Sequence, residues 1–271
     1  MSRREEMLKE MGLAPTWRLR DVAARPTASD LELASAEPEV PIAPIAGVAS
    51  VTESDASARH FVTPAPLTDE RRGAIMRMDW AGLKAAVAKC VDCPLHAKRN
   101  KTVFGVGDEN ADWMFVGEGP GADEDAQGEP FVGQAGRLLD SMLGAIDLKR
   151  GANVYIANCV KCRPPGNRNP APEEAQKCEP FLQRQIELIN PKLIVALGRV
   201  AAVNLLARDA SVASLRGRVL DYRGTPLVVT YHPAYLLRSL TEKAKAWEDL
   251  CFAVKTMQDL RAAGGATISV D

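Results

Sequence analysis

The sequence predicts an α/β protein, a three-layer α/β/α sandwich around a central, mostly parallel sheet. Two observations carry this. From Arg71 onward, short apolar runs alternate with longer stretches of helical period, and several of the short runs are apolar throughout rather than alternating. A strand covered by helices on both faces needs apolar side chains on both, so an unbroken run reads as a buried parallel strand. The expected strands are 102–106, 113–117, 153–157, 193–197 and 227–230. Asp79 is placed to cap a helix running to Lys89, and further helices are expected over 136–145, 172–189, 200–207 and 241–260.

With 271 residues and 46% hydrophobic content, the chain can bury one full core plus extra sequence. Residues 1–20 open with the capping-box pair Ser2 and Glu5, carry Met7, Leu8 and Met11 on one stripe, and stop at Gly12, which reads as a short amphipathic helix. Trp17 and Leu19 follow without a nearby partner segment, so residues 2–20 are a candidate for binding a protein partner or for docking on their own domain. Residues 21–75 are Ala, Pro, Ser, Val and Glu without period, the composition of a disordered linker. The folded domain is expected over 76–265. No secretory signal or membrane-spanning segment is expected from the mixed-charge first twenty residues, which places the protein in the cytoplasm. Separately, a monomer is expected. The 34 basic and 35 acidic residues do not announce a nucleic-acid protein, because an acidic tail can mask a basic face.

Six cysteines in a reducing compartment point to metal or redox chemistry rather than disulfides. Cys90 and Cys93 form a C-x2-C pair at a helix end, and Cys162 and Cys178 flank a Pro-rich loop, so four thiolates are available for zinc or for a 4Fe-4S cluster. A thioredoxin-like site would start a helix, whereas Cys90 and Cys93 end one and run into Pro94. Cys251 reads as a core residue of the last helix. Cys159 lies close enough to compete with Cys162 as a ligand, and motif context favours Cys162.

Gly117-Glu-Gly-Pro-Gly121 follows a strand directly, where open α/β sheets place ligands, but it lacks the Lys and Ser/Thr of a P-loop and the dinucleotide spacing. Phe131-Val-Gly-Gln-Ala-Gly comes soon after, Asn158 falls at a second strand end, and Tyr231-His-Pro-Ala234 ends a third. Three strand ends are thus expected to converge.

In these motifs, G-E-G-P-G, G-E-P-F-V-G-Q-A-G, N-C-V-K-C-R-P-P-G-N-R and H-P-A, the chain resembles the family 4 uracil-DNA glycosylases over about residues 80–263. The resemblance implies the uracil-DNA glycosylase-like sandwich, a 4Fe-4S cluster on Cys90, Cys93, Cys162 and Cys178, and hydrolysis of deoxyuridine in single- or double-stranded DNA to uracil and an abasic site. It assigns Phe131 to stack on an extruded uracil, Asn158 to read its edge, and His232 to stabilise charge at O2. It also places Gly117 and Gly119 at the base, Glu118 as the carboxylate serving water or sugar, and Glu124 against C5, while the rest of the run Asp123–Asp125 is expected to face solvent. An Asn amide accepts from uracil N3–H and donates to O4, and cytosine offers the reverse.

Lys161, Arg163, Arg168 and Arg238 are expected to contact phosphates, with Lys98, Arg99 and Lys101 beside them. No Lys in these motifs is placed for a Schiff base, so lyase activity is not expected. Two other classes remain open at this level: a uracil-DNA trapping protein, for which an additional basic His-containing loop would be required, and a repair adaptor without turnover.

Overall fold

The computed structural model describes residues 69–264, and the residues expected to form the amphipathic segment and most of the linker lie outside them. The linker's expected end at residue 75 falls inside helix α1, Asp69–Met76, whose Ile75 is buried with Phe181 while Arg72 pairs with Glu179 and Gln183. The folded domain therefore begins earlier than its composition suggests. Helix α2, Trp80–Lys89, starts on Asp79, whose carboxylate accepts from the Gly82 amide at 2.8 Å, as the cap predicted.

Strands β1 (Val106–Gly107), β2 (Trp113–Gly117), β3 (Val154–Asn158), β4 (Leu193–Leu197), β5 (Leu220–Tyr222) and β6 (Thr225–Thr230) form one sheet in the order β1-β3-β2-β4-β6-β5. The four central strands are parallel, and both edges are antiparallel. Of the expected strand 102–106 only Val106 is in β1, and Val103 instead gives its amide to the Lys161 carbonyl at 2.8 Å.

Alternate side chains of the central strands go to opposite layers, as a pleated strand requires. Met114, Val116, Ala157, Ile194, Ala196 and Val229 face a core completed by α5 (Pro172–Ile189), α6 (Gly198–Leu206) and α7 (Val212–Leu215). Trp113, Phe115, Ile156, Val195 and Val228 face the other, built with α4 (Gln134–Ala145) and α9 (Lys243–Gly264). The short helices α3 (Ala122–Gln127) and α8 (Pro233–Leu236) follow β2 and β6. The three-layer α/β/α arrangement is as expected.

Cys251 is exposed, against the expectation of a core position. Helix α9 buries the stripe Ala246, Leu250, Ala253 and Met257, and Cys251 lies one residue, about 100° of turn, beyond it. Among the described residues no helix is long and apolar enough to cross a membrane.

Candidate active site

All four parallel strands end on the same side, and the ends open into a cleft of about 680 Å³ lined by Glu118, Gly119, Phe131, Asn158, Gly198, His232 and Arg238 among others. Gly117 lies behind this wall. A Cβ there would stand 2.5 Å from both Asn158 Oδ1 and Phe131 Cζ, so the first glycine of the loop makes room for two expected base contacts rather than touching a base itself. Gly119 likewise leaves no space for a side chain against Val160.

Asn158 ends β3, is 2% exposed, and its Oδ1 has no hydrogen-bond partner. A buried amide oxygen without a donor costs about 1–3 kcal/mol, and one lining a cleft is an acceptor kept for a ligand N–H. Phe131 is buried in left-handed backbone (φ 55°) with its ring centroid 5.6 Å from that of His232. Its carbonyl fits only against Gly136, where a Cβ would fall 1.8 Å away. Arg150 donates to the Pro130 and Phe131 carbonyls at 2.9 and 2.8 Å and to Asp140 at 3.0 Å.

His232 caps α8. Its Nδ1 accepts from the Ala234 amide at 3.1 Å, so the ring proton is carried on Nε2. Burial, followed by the charge of Arg238, lowers its pKa to about 4, with Glu124 opposing, so the ring is neutral near pH 7. Beneath it Gly198, the first residue of α6 (φ 87°), comes so close that a Cβ would stand 2.8 Å from His232 Cβ. The sequence reading missed Gly198, although a glycine closing an unbroken apolar run was a visible signal.

The carboxylates divide by contact. Glu118 is half-buried on the cleft wall, and burial raises its pKa. Glu124 also lines the cleft and accepts from the amides of Gly121, Val132 and Gly133 at 3.0, 2.9 and 3.1 Å, tying the glycine loop to the Phe131 segment. Asp125 corrects the expectation of a solvated run. It is 1% exposed and accepts from Asn100 through both its amide groups, at 2.9 and 2.7 Å.

The expected basic rim is only partly a rim. Lys161 is 1% exposed, so it is not free to meet a phosphate; its Nζ donates to the Asn158 carbonyl at 2.9 Å and to Gln185 Oε1 at 2.6 Å, and burial brings its pKa down to about 8. Arg99 is spent on the Cys90 carbonyl and the Cys162 thiol, at 2.7 and 3.1 Å. Arg168 and Arg238 line the cleft, Arg168 in a two-pronged pair with Glu174 at 2.7 and 2.8 Å, and Arg163 bonds Asn167 at the cleft edge.

Cys90, Cys93, Cys162 and Cys178 line one small cavity beside α2 and α5, with Arg99, Lys161 and Lys177 around it. Burial raises the pKa of Cys90 and Cys162 and pushes Cys178 up to about 12. The Lys161 amide donates to Cys178 Sγ at 3.3 Å. Cys159 belongs elsewhere: it is packed into the sheet core with Met114 and Ala157, away from this cavity. Among the described residues no group of three or more His, Cys, Asp or Glu side chains is arranged to hold a single metal ion.

The family model of the uracil DNA glycosylase superfamily matches residues 104–251, which span every strand among the described residues and the whole cleft. The chain is similar to the type-4 uracil-DNA glycosylase of Thermotoga maritima, with 47% identity over 161 residues covering 59% of this chain and 83% of that protein. The type-4 enzyme of Archaeoglobus fulgidus is 46% identical, covering 56% of this chain and 79% of its own. That of Pyrobaculum aerophilum is 40% identical, covering 64% and 92%. Strand-end motifs, thiol cavity and relatives agree, and the chain belongs to the type-4 branch of the uracil DNA glycosylase superfamily.

Proposed function

We propose that this enzyme is a monofunctional uracil-DNA glycosylase in which Asn158, Phe131 and His232 read the base and release it. The observation that carries the assignment is the unpartnered Oδ1 of Asn158, a buried acceptor waiting for an in-plane N–H. Uracil N3–H supplies that donor. Cytosine has a bare acceptor at N3 and would leave two acceptors facing each other, a mismatch of a few kcal/mol.

An extruded base slides against the Phe131 ring, with its N3–H and O4 toward Asn158 and its O2 toward His232. As the glycosidic bond breaks, charge collects on O2. A neutral imidazole that already accepts at Nδ1 offers Nε2–H to that charge without giving up a proton, stabilising the departing anion more than the bound base. Glu118, raised in pKa by burial at the same wall, is the carboxylate that faces the sugar and the attacking water. Lys161 is bound to Asn158 and Gln185, which supports hydrolysis over Schiff-base lyase chemistry.

Uracil-containing DNA is the partner. Arg163, Arg168 and Arg238 supply phosphate contacts at the rim, and the exposed Tyr235, Leu237 and Leu240 beside Arg238 are apolar groups suited to prop open an unstacked step. The cysteine cavity suits a 4Fe-4S cluster: four thiols share its wall, and N–H donors from Lys161 and Arg99 point at sulfur. A cluster held there by Cys90, Cys93, Cys162 and Cys178 would supply a covalent staple between α2, α5 and the Asn158–Cys162 segment, not a step of base removal.

The deciding experiment is excision from single-stranded and paired uracil oligonucleotides by the wild-type chain and by Asn158→Ala and His232→Ala. Free uracil and an alkali-labile abasic site are expected, with each variant slower by two or more orders of magnitude, on the order of the loss of one transition-state donor. DNA retained covalently on the protein would favour trapping, and wild-type binding without release would favour an adaptor.

A further inference from the structure

We propose that Lys161 is a positioning residue for base recognition, setting Asn158 through its carbonyl, with Gln185 holding Lys161 in turn. This rests on the glycosylase reading above and adds a residue to it. Lys161 Nζ meets the Asn158 carbonyl at 2.9 Å and Gln185 Oε1 at 2.6 Å. Gln185, fully buried, is fixed by donating to the Phe104 carbonyl at 2.9 Å and the Tyr155 hydroxyl at 3.4 Å. The main chain of Lys161 is clamped as well, its amide on Cys178 Sγ at 3.3 Å and its carbonyl on the Val103 amide at 2.8 Å.

Cys178 and Gln185 lie seven residues apart on α5, two turns along one face, and both hold Lys161. The helix that lines the thiol cavity thereby reaches the base-reading residue through one side chain. Asn158 is the last residue of β3, and the peptide that follows it is held on both sides, its N–H (Cys159) donating to the Gly117 carbonyl at 2.9 Å and its carbonyl accepting from Lys161. The ammonium fixes that peptide, and with it the direction in which the unpartnered Oδ1 points. A shift of about 1 Å in such a group can cost about 100-fold in rate.

A buried ammonium whose hydrogen bonds go to two neutral oxygens, on the wall of the thiol cavity, costs more than a neutral side chain would at a position with only a packing role, and its removal leaves the Asn158 carbonyl and Gln185 Oε1 without this donor. This contrast makes the idea testable. Full-length wild type, Lys161→Met and Gln185→Met are compared for melting temperature, visible absorbance per chain, and kcat and KM on a uracil oligonucleotide. For Lys161→Met the expected result is a lower melting temperature, because the Asn158 carbonyl and Gln185 Oε1 lose this donor, but a protein still folded at the assay temperature, with unchanged absorbance, KM within about threefold, and kcat lower by about 30- to 100-fold per folded chain. Gln185→Met, which leaves the ammonium unanchored, is expected to lose about tenfold in kcat in the same sense.

Wild-type kcat in Lys161→Met overturns the proposal, as does a loss of kcat that tracks loss of folded, absorbing protein. If Lys161→Met does not fold, Gln185→Met at wild-type kcat overturns it. Absence of uracil release by the wild-type chain would instead refute the glycosylase reading on which it stands.

Discussion

The Phe131 carbonyl receives Arg150 Nη2 at 2.8 Å, and the same guanidinium holds the Pro130 carbonyl at 2.9 Å. Phe131 sits in left-handed backbone, which costs a non-glycine residue about 1 kcal/mol or more, so the conformation needs an external hold. Arg150→Met removes it. Hydrogen bonds to a charged group contribute about 1.5–3 kcal/mol, and kcat/KM on a uracil oligonucleotide is expected to drop roughly 10- to 100-fold. Arg150→Lys, which cannot fork across two carbonyls, should recover only part of that.

Two glycines make the same site sensitive to a single methyl. Gly136→Ala would drive a Cβ to 1.8 Å from the Phe131 carbonyl, and Gly117→Ala would drive one to 2.5 Å from both Asn158 and Phe131. Each is expected to lower stability by about 1–3 kcal/mol in urea unfolding and to cut activity more than stability, because the atoms displaced are those that hold the base. Gly144→Ala, with open space around its Cβ, serves as the control and should be neutral.

His232 gives the protein an acid limb. Its folded pKa, about 4, lies below the ordinary 6.5, so between those values the unfolded chain binds a proton that the folded one refuses. Its contribution to stability is therefore complete above about pH 6.5 and lost as pH falls through about 4. His232→Gln should reduce the difference in urea midpoint between pH 7 and pH 4.5. Wild-type kcat should fall through about pH 4 as Nδ1 takes a proton and lets go of the Ala234 amide. Arg238→Gln removes a nearby positive charge, so the limb should move to higher pH while KM for DNA rises.

The thiols divide into three groups by position. Alanine at Cys90, Cys93, Cys162 or Cys178 should abolish visible iron-sulfur absorbance and lower the melting temperature, whereas Cys251→Ala on the outside of α9 should change neither. Cys159→Ala should keep the absorbance and lose stability by about 1–2 kcal/mol, as expected for a small side chain removed from the sheet core.

How far the sequence could be read depended on where the physics is local. Helix α5 was legible to the residue, since Pro172 opens it and the left-handed Asn190 before Pro191 closes it. Strands β2 and β4 were legible because each is an apolar run ending at a glycine. The edge strands were not, being two or three residues long with polar members, and α1 hid one buried Ile75 among charges. At the cleft, Asn158, Phe131 and His232 were visible in motifs. Lys161 was misread because its neighbours Arg163 and Arg168 are surface cations and nothing in the spacing reveals burial. Arg150 stands outside every motif, and its importance follows only from the fold bringing it beneath Phe131.

The unpartnered oxygen of Asn158 also bears on what happens after the bond is cut. Among the described residues no protein group donates to that acceptor, and any flat molecule with an imide N–H beside a carbonyl can do so. The first such molecule present after each reaction is the freed uracil itself. Freed uracil thus competes with the next extruded base for the same acceptor, and added uracil should slow excision.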